Sequence, residues 1–94
     1  MYKFSPKAKQ DLKSITKYTT EQFGLAQSNQ YLMGMKDVLT HLSQFPRMGR
    51  IRDEIGNGVL SYVYRSHTIF YRLHDQGIWI LRILHQRMDH RSLM

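Results

Sequence analysis

Fourteen lysines and arginines, seven acidic residues, five histidines and no cysteine set the chemistry open to this 94-residue chain. Without cysteine there is no thiolate nucleophile, no disulfide framework and no Cys-ligated zinc or iron–sulfur site. The histidines are His41, His67, His74, His85 and His90, and no pair has the i, i+4 helical spacing that cradles a metal, so neither metal nor cofactor is expected. His85 and His90, with Asp89, Arg82 and Arg87 nearby, could put a general base beside phosphate-binding groups, which is nuclease chemistry. The plainer alternative makes His85 a strand-end residue bonded to backbone. Glu21, Asp37, Asp53 and Glu54 form no paired carboxylates at a diagnostic spacing, and neither a phosphate-binding glycine loop nor a GxSxG elbow is present. Nothing in the residues alone demands an enzyme, and no catalytic residue is assigned.

The net charge of +7 and a pI near 10.0 point to acidic partners. Lysine dominates the early part (Lys7, Lys9, Lys13, Lys17) and arginine the rest. A lysine face on a helix is ordinarily solvated, whereas the planar guanidinium fork grips carboxylate or phosphate in fixed geometry. Recognition is therefore expected of the arginines. Nucleic acid is one candidate anion, although no groove-reading helix or aromatic RNA-binding motif appears.

These groups need elements to hold them. Tyr2 to Phe4 reads as a short strand, and Ser5-Pro6 as an N-cap followed by a proline suited to the first helical turn. Ala8, Leu12, Ile15, Tyr18 or Thr19, and Phe23 then recur at helical spacing until Gly24. Leu32, Met35, Leu39 and Leu42 define a second helix from Leu25 to Pro46, and the short turn between makes an antiparallel hairpin. A basic, glycine-punctuated loop follows to Gly58. Three runs rich in β-branched and aromatic residues, Val59 to Arg65, Thr68 to Leu73 and Ile78 to Leu84, predict an antiparallel meander with polar turns. Length predicts a single domain over residues 1–94, with 86–94 a flexible tail. No segment resembles a signal peptide or a membrane span, so a soluble cytoplasmic protein is expected.

Both parities are apolar in Ile78 to Leu84 and nearly so in Val59 to Tyr64, so both sheet faces call for cover. The helices supply one face. The other is either a partner surface, rich in tyrosine, or a thin second core under the tail.

Taken in order, the opening strand, Ser-Pro, Ala8-x-x-Asp11-Leu12-x-x-Ile15-x-x-Tyr18, Gly24, Phe45-Pro46-x-x-Gly49, and Ile69-Phe70-Tyr71-Arg72 followed by Ile83-Leu84-His85 and Asp89 resemble the ParE branch of the RelE/ParE toxin superfamily. One departure is Leu60, where ParE-like chains commonly carry arginine before the serine matching Ser61. The resemblance implies an α+β fold, with an N-terminal strand and two-helix hairpin packed on an antiparallel sheet that includes three C-terminal strands. It further implies the toxin of a bacterial type II toxin–antitoxin system. Such a toxin is non-enzymatic, poisons DNA gyrase by binding, and pairs with a cognate acidic antitoxin, disordered when free, in a hetero-oligomer; direct nucleic-acid binding is not required. The alternative within the superfamily is a ribosome-dependent mRNA endoribonuclease of the RelE type, with His85 or His90 as base and Arg65, Arg72 or Arg82 stabilising phosphate charge. Target contacts are expected at Arg82, His85, Arg87, His90 and Arg91. Antitoxin contacts are expected at Tyr62, Tyr64, Tyr71, Ile80 and Leu84.

Overall fold

The Ser5 hydroxyl accepts a hydrogen bond from the Ala8 amide at 3.0 Å, and Pro6 opens the helix that follows. These features begin a computed structural model that describes residues 1–88 and 90–93. In order come strand β1 (Tyr2–Phe4), helices α1 (Pro6–Phe23) and α2 (Leu25–Gln44), and a 3-10 turn at Pro46–Met48. Strands β2 (Arg50–Ile51), β3 (Leu60–Tyr64), β4 (His67–His74) and β5 (Gly77–His85) and the short helix α3 (His90–Leu93) complete the chain. Gly24, at φ +89°, both closes α1 and opens α2. Among the described residues no helix is long and apolar enough to cross a membrane.

The sheet runs β1-β5-β4-β3-β2. The expected α+β architecture is present with one difference, in that β1 pairs parallel to β5 while every other neighbour is antiparallel. The sheet is therefore mixed: the meander leaves the outer edge of β5 open, and the N-terminal strand occupies part of it.

Helices α1 and α2 lie on one face. Ala8, Ile15, Met35, Leu39 and Leu42 pack there on Tyr64, Ile69, Tyr71, Ile78, Ile80 and Ile83. Of the two residues offered by the helical spacing, Thr19 is the buried one, while Tyr18 is 60% exposed and Phe23, expected on the buried stripe, is 59% exposed. Val59, Phe70 and Leu84, with Ile55 and Leu81 against them, form a second small cluster. A thin second core thus covers part of the far face, while Val63 on that face stays exposed.

The doubled apolar parity of β5 has a cause. Phe70 pairs with Arg82 but Tyr71 pairs with Ile80, leaving Leu81 as an extra residue in a β-bulge. Past the bulge the faces exchange, so Ile78, Ile80 and Ile83 all reach the main core while Leu81 and Leu84 join the second.

Gly34 in α2 gives the helix room to meet β3. A Cβ at this position would overlap the Tyr64 hydroxyl and come within 3.2 Å of its ring. Alanine for glycine inside a helix ordinarily stabilises by about 0.5–1 kcal/mol. Here Gly34→Ala is expected to destabilise by about 1–2 kcal/mol through overpacking, lowering Tm by roughly 5–10 °C in a thermal melt. Tyr64→Phe in the same background should recover part of that loss, and a stabilised Gly34→Ala protein would contradict the contact.

Candidate functional site

The C-terminal half of β5 carries two of the five residues expected to contact a target, Arg82 and His85, and the structure sends them in different directions. Strand β1 ends at Phe4, so beyond Ile80 the outer edge of β5 has no strand partner. Ser5 takes over part of it, its amide donating to Ile80 O at 2.9 Å and its hydroxyl to Leu81 O at 2.8 Å. Asp11 from α1 takes the next group, its Oδ2 accepting from the Ile83 amide at 3.0 Å.

The same carboxylate holds Arg82 by a fork of two bonds, Nε to Oδ2 at 2.8 Å and Nη2 to Oδ1 at 2.9 Å. The two side chains are only 16% and 13% exposed. The hydrogen bonds it donates to Asp11 raise the proton affinity of the guanidinium. Arg82 thus clasps α1 to the sheet.

His85 faces an open cleft of about 440 Å³ between the end of α1, the start of α2 and the β3–β4 turn. His67 meets it edge to face at 5.4 Å between ring centroids, and the Tyr31 hydroxyl lies 2.6 Å from His67 Nδ1. Tyr64 fixes this corner by donating to Tyr31 O at 2.8 Å. Burial first, then the neighbouring His85, lowers the His67 pKa from the usual histidine value, with Asp11 opposing weakly. His67 is therefore neutral at pH 7. Burial likewise raises the Tyr31 hydroxyl, keeping it protonated. Arg65 and Ser66 form the rim, and no carboxylate lines the cleft.

His90 lies elsewhere, its ring 4.9 Å from Phe70 in the second core. Arg52 covers the Phe70 ring at 5.5 Å and is itself tied to Glu54 at 2.7 Å. Arg72 lines a separate cleft with Lys7, Ile55 and Leu81. Arg87 and Arg91 are exposed beyond the strand, and the Arg87 amide donates to His85 Nδ1 at 3.2 Å. The five residues expected to contact a target therefore do not converge. Asp89 and Met94, within the expected tail, lie outside the described residues.

The residues expected to face an antitoxin need correction. Tyr71 and Ile80 are 0% exposed, Leu84 is 2% and Tyr64 is 9%, because the chain's own cores enclose them. Tyr62 is half-buried against the main core. These side chains hold the fold, and the apolar surface open to a partner includes Tyr18, Phe23, Leu25, Met33, Ile51 and Val63.

Sequence reasoning missed the roles of Asp11, Tyr31 and His67. Asp11 left a readable signal, a lone carboxylate on the face shared by Ala8, Leu12 and Ile15. His67 and Tyr31, 36 residues apart, left none. Among the described residues no three His, Asp or Glu side chains gather as a metal site.

Comparison with known proteins bears on the same residues. A family described as "ParE toxin of type II toxin-antitoxin system, parDE" matches residues 2–90. Toxin ParE1 of Mycobacterium tuberculosis is 39% identical over 89 residues, covering 94% of this chain and 91% of that protein. Toxin ParE1 of Caulobacter vibrioides is 30% identical over 91 residues, 97% of this chain and 94% of its own. A chain of the chromosomal ParDE TA system from P. aeruginosa superposes with a TM-score of 0.75 at 22% identity, covering 89% of this chain and 92% of that one, a likeness of fold. With the family pattern running from β1 to α3 and relatives aligned along nearly their whole length, this chain belongs to the ParE toxins of type II toxin–antitoxin systems.

Proposed function

We propose that this toxin acts by binding DNA gyrase and trapping its cleaved DNA complex, and that a cognate acidic antitoxin neutralises it by covering its exposed apolar and basic surface. The observation that carries an action by binding is the composition of that surface. Tyr18, Phe23 and Leu25 are 60%, 59% and 66% exposed at the hairpin tip, and Ile51 and Val63 are 68% and 60% exposed by the β2 edge, on a chain of net charge +7. Tyr18 and Phe23 share one cleft, and exposed apolar patches mark protein interaction sites. Strand β2 also offers its outer backbone edge to an incoming strand. An acidic antitoxin suits both features, since opposite charge speeds encounter and apolar burial holds the complex. Gyrase as target rests on family membership.

The test is a supercoiling assay with purified gyrase, ATP and increasing toxin. Lost supercoiling with accumulating linear, protein-linked DNA, reversed by antitoxin, is the expected result. No effect from a folded preparation that still arrests growth would overturn gyrase as the target. One observation favours the endoribonuclease reading: Arg65 and His85, both named for it, line one cleft with His67. That reading requires mRNA cut on translating ribosomes, with His85→Gln costing about 100-fold in cleavage.

A further inference from the structure

We infer that the cleft bounded by Tyr31, Arg65, His67 and His85 binds a phosphate of a single-stranded nucleic acid, with the exposed rings of Tyr18 and Phe23 taking an adjacent unstacked base. The inference stands whichever macromolecule the toxin attacks.

Basic and polar groups converge there with no carboxylate among them. Arg65, His67, His85 and the Tyr31 hydroxyl share one open cleft of about 440 Å³, and none of its lining residues is acidic. The nearest carboxylate to act on His67, that of Asp11, is already bonded to Arg82 and to the Ile83 amide.

Arg65 also occupies a costly backbone position. It is the first residue of the two-residue turn joining Tyr64 to His67, and its φ is +53°. Glycine is the residue such a turn favours, because a side chain there crowds the backbone. The arginine here is exposed and lies along the Tyr64 ring at 5.8 Å.

The neighbouring rings select the ligand class. Tyr18 and Phe23 line the same cleft at 60% and 59% exposure. Unstacked bases of a single strand stack on exposed aromatic rings, and bases in a duplex are not available for it. A glutamate or aspartate side chain from an acidic peptide could use Arg65 but has no flat face to set against these rings.

The experiment measures fluorescence anisotropy of a labelled oligothymidylate against the full-length toxin, with the matching duplex and poly-glutamate as competitors. Arg65→Gly removes the guanidinium and relieves the positive φ, so the variant keeps its fold. It is expected to weaken oligothymidylate binding about tenfold, the worth of one charge-assisted phosphate contact. Lys13→Ala removes the same charge from the exposed face of α1 and should weaken binding less than about twofold. Tyr18→Ala should also weaken the single strand while leaving duplex binding unchanged. Equal losses from Arg65→Gly and Lys13→Ala would reduce the binding to general charge and overturn the inference. So would duplex competing as well as single strand, or poly-glutamate displacing the oligonucleotide at equal charge.

Discussion

Asp11→Ala is expected to destabilise the free protein by about 2–3 kcal/mol, a fall in Tm of roughly 10–20 °C. Three losses combine. The Ile83 amide loses its acceptor, Arg82 loses both arms of its fork, and a guanidinium only 16% exposed loses the negative charge of Asp11. Arg82→Ala should cost a similar amount by stranding the carboxylate. Arg82→Lys keeps the charge but replaces a planar fork with a point donor, so it should recover only part of the stability. Because the two residues act as a unit, the double variant Asp11→Ala/Arg82→Ala should cost clearly less than the sum of the single changes. Urea unfolding of the four proteins measures the coupling. An Arg82→Ala protein that unfolded at the wild-type midpoint while losing toxicity would restore Arg82 to the target-contact role its position in the sequence suggests.

That contrast explains why fold and site differ in legibility. The hairpin is written in local signals: Ser5 and Pro6 at one end, Gly24 at the turn and Pro46 at the close each act through the backbone within one helical turn. The strands β3, β4 and β5 are legible because β-branched and aromatic residues crowd into them. Elements of two to four residues, β2 and α3, carry too few positions for a period to show. The parallel pairing of β1 is set by which sheet edge remains open, a property of the assembled meander rather than of Tyr2 to Phe4.

The site depends on what alternation does to neighbours. Arg82, His85 and His90 are close in sequence, yet strand alternation between 82 and 85 and the chain reversal after β5 send them to the α1 clasp, the Tyr31 cleft and the far face. Sequence clustering therefore did not become spatial clustering. The cleft that did form draws on α1, α2, the β3–β4 turn and β5, with each contributing one or a few residues that look ordinary where they stand. The tyrosines mislead in another way. A ring with a polar tip suits either an interface or a core that supplies a hydroxyl partner, and residue type does not distinguish the two.

Tyr71 separates those two roles by experiment. Its ring is 0% exposed in the main core, and its hydroxyl donates to Pro46 O at 2.7 Å. Burial raises its pKa, so it stays protonated and donating. The Phe45-Pro46-x-x-Gly49 segment is the seat for that hydroxyl. The 3-10 turn presents the Pro46 carbonyl, and Gly49 lacks the Cβ that would overlap the phenol oxygen. Tyr71→Ala should therefore cost about 3–5 kcal/mol, close to the whole stability of a small domain, and leave the chain largely unfolded at 37 °C. Tyr71→Phe keeps the ring and gives up one hydrogen bond, about 1 kcal/mol, or roughly 4–8 °C in Tm. Gly49→Ala should fall between them, because both the phenol and Ser61 O, 3.0 Å from the added carbon, would have to move. Circular dichroism melts of the free toxin rank the three. A Tyr71→Ala protein with an unchanged melt and weakened antitoxin binding would return this residue to the interface and reject the seat at Pro46 and Gly49.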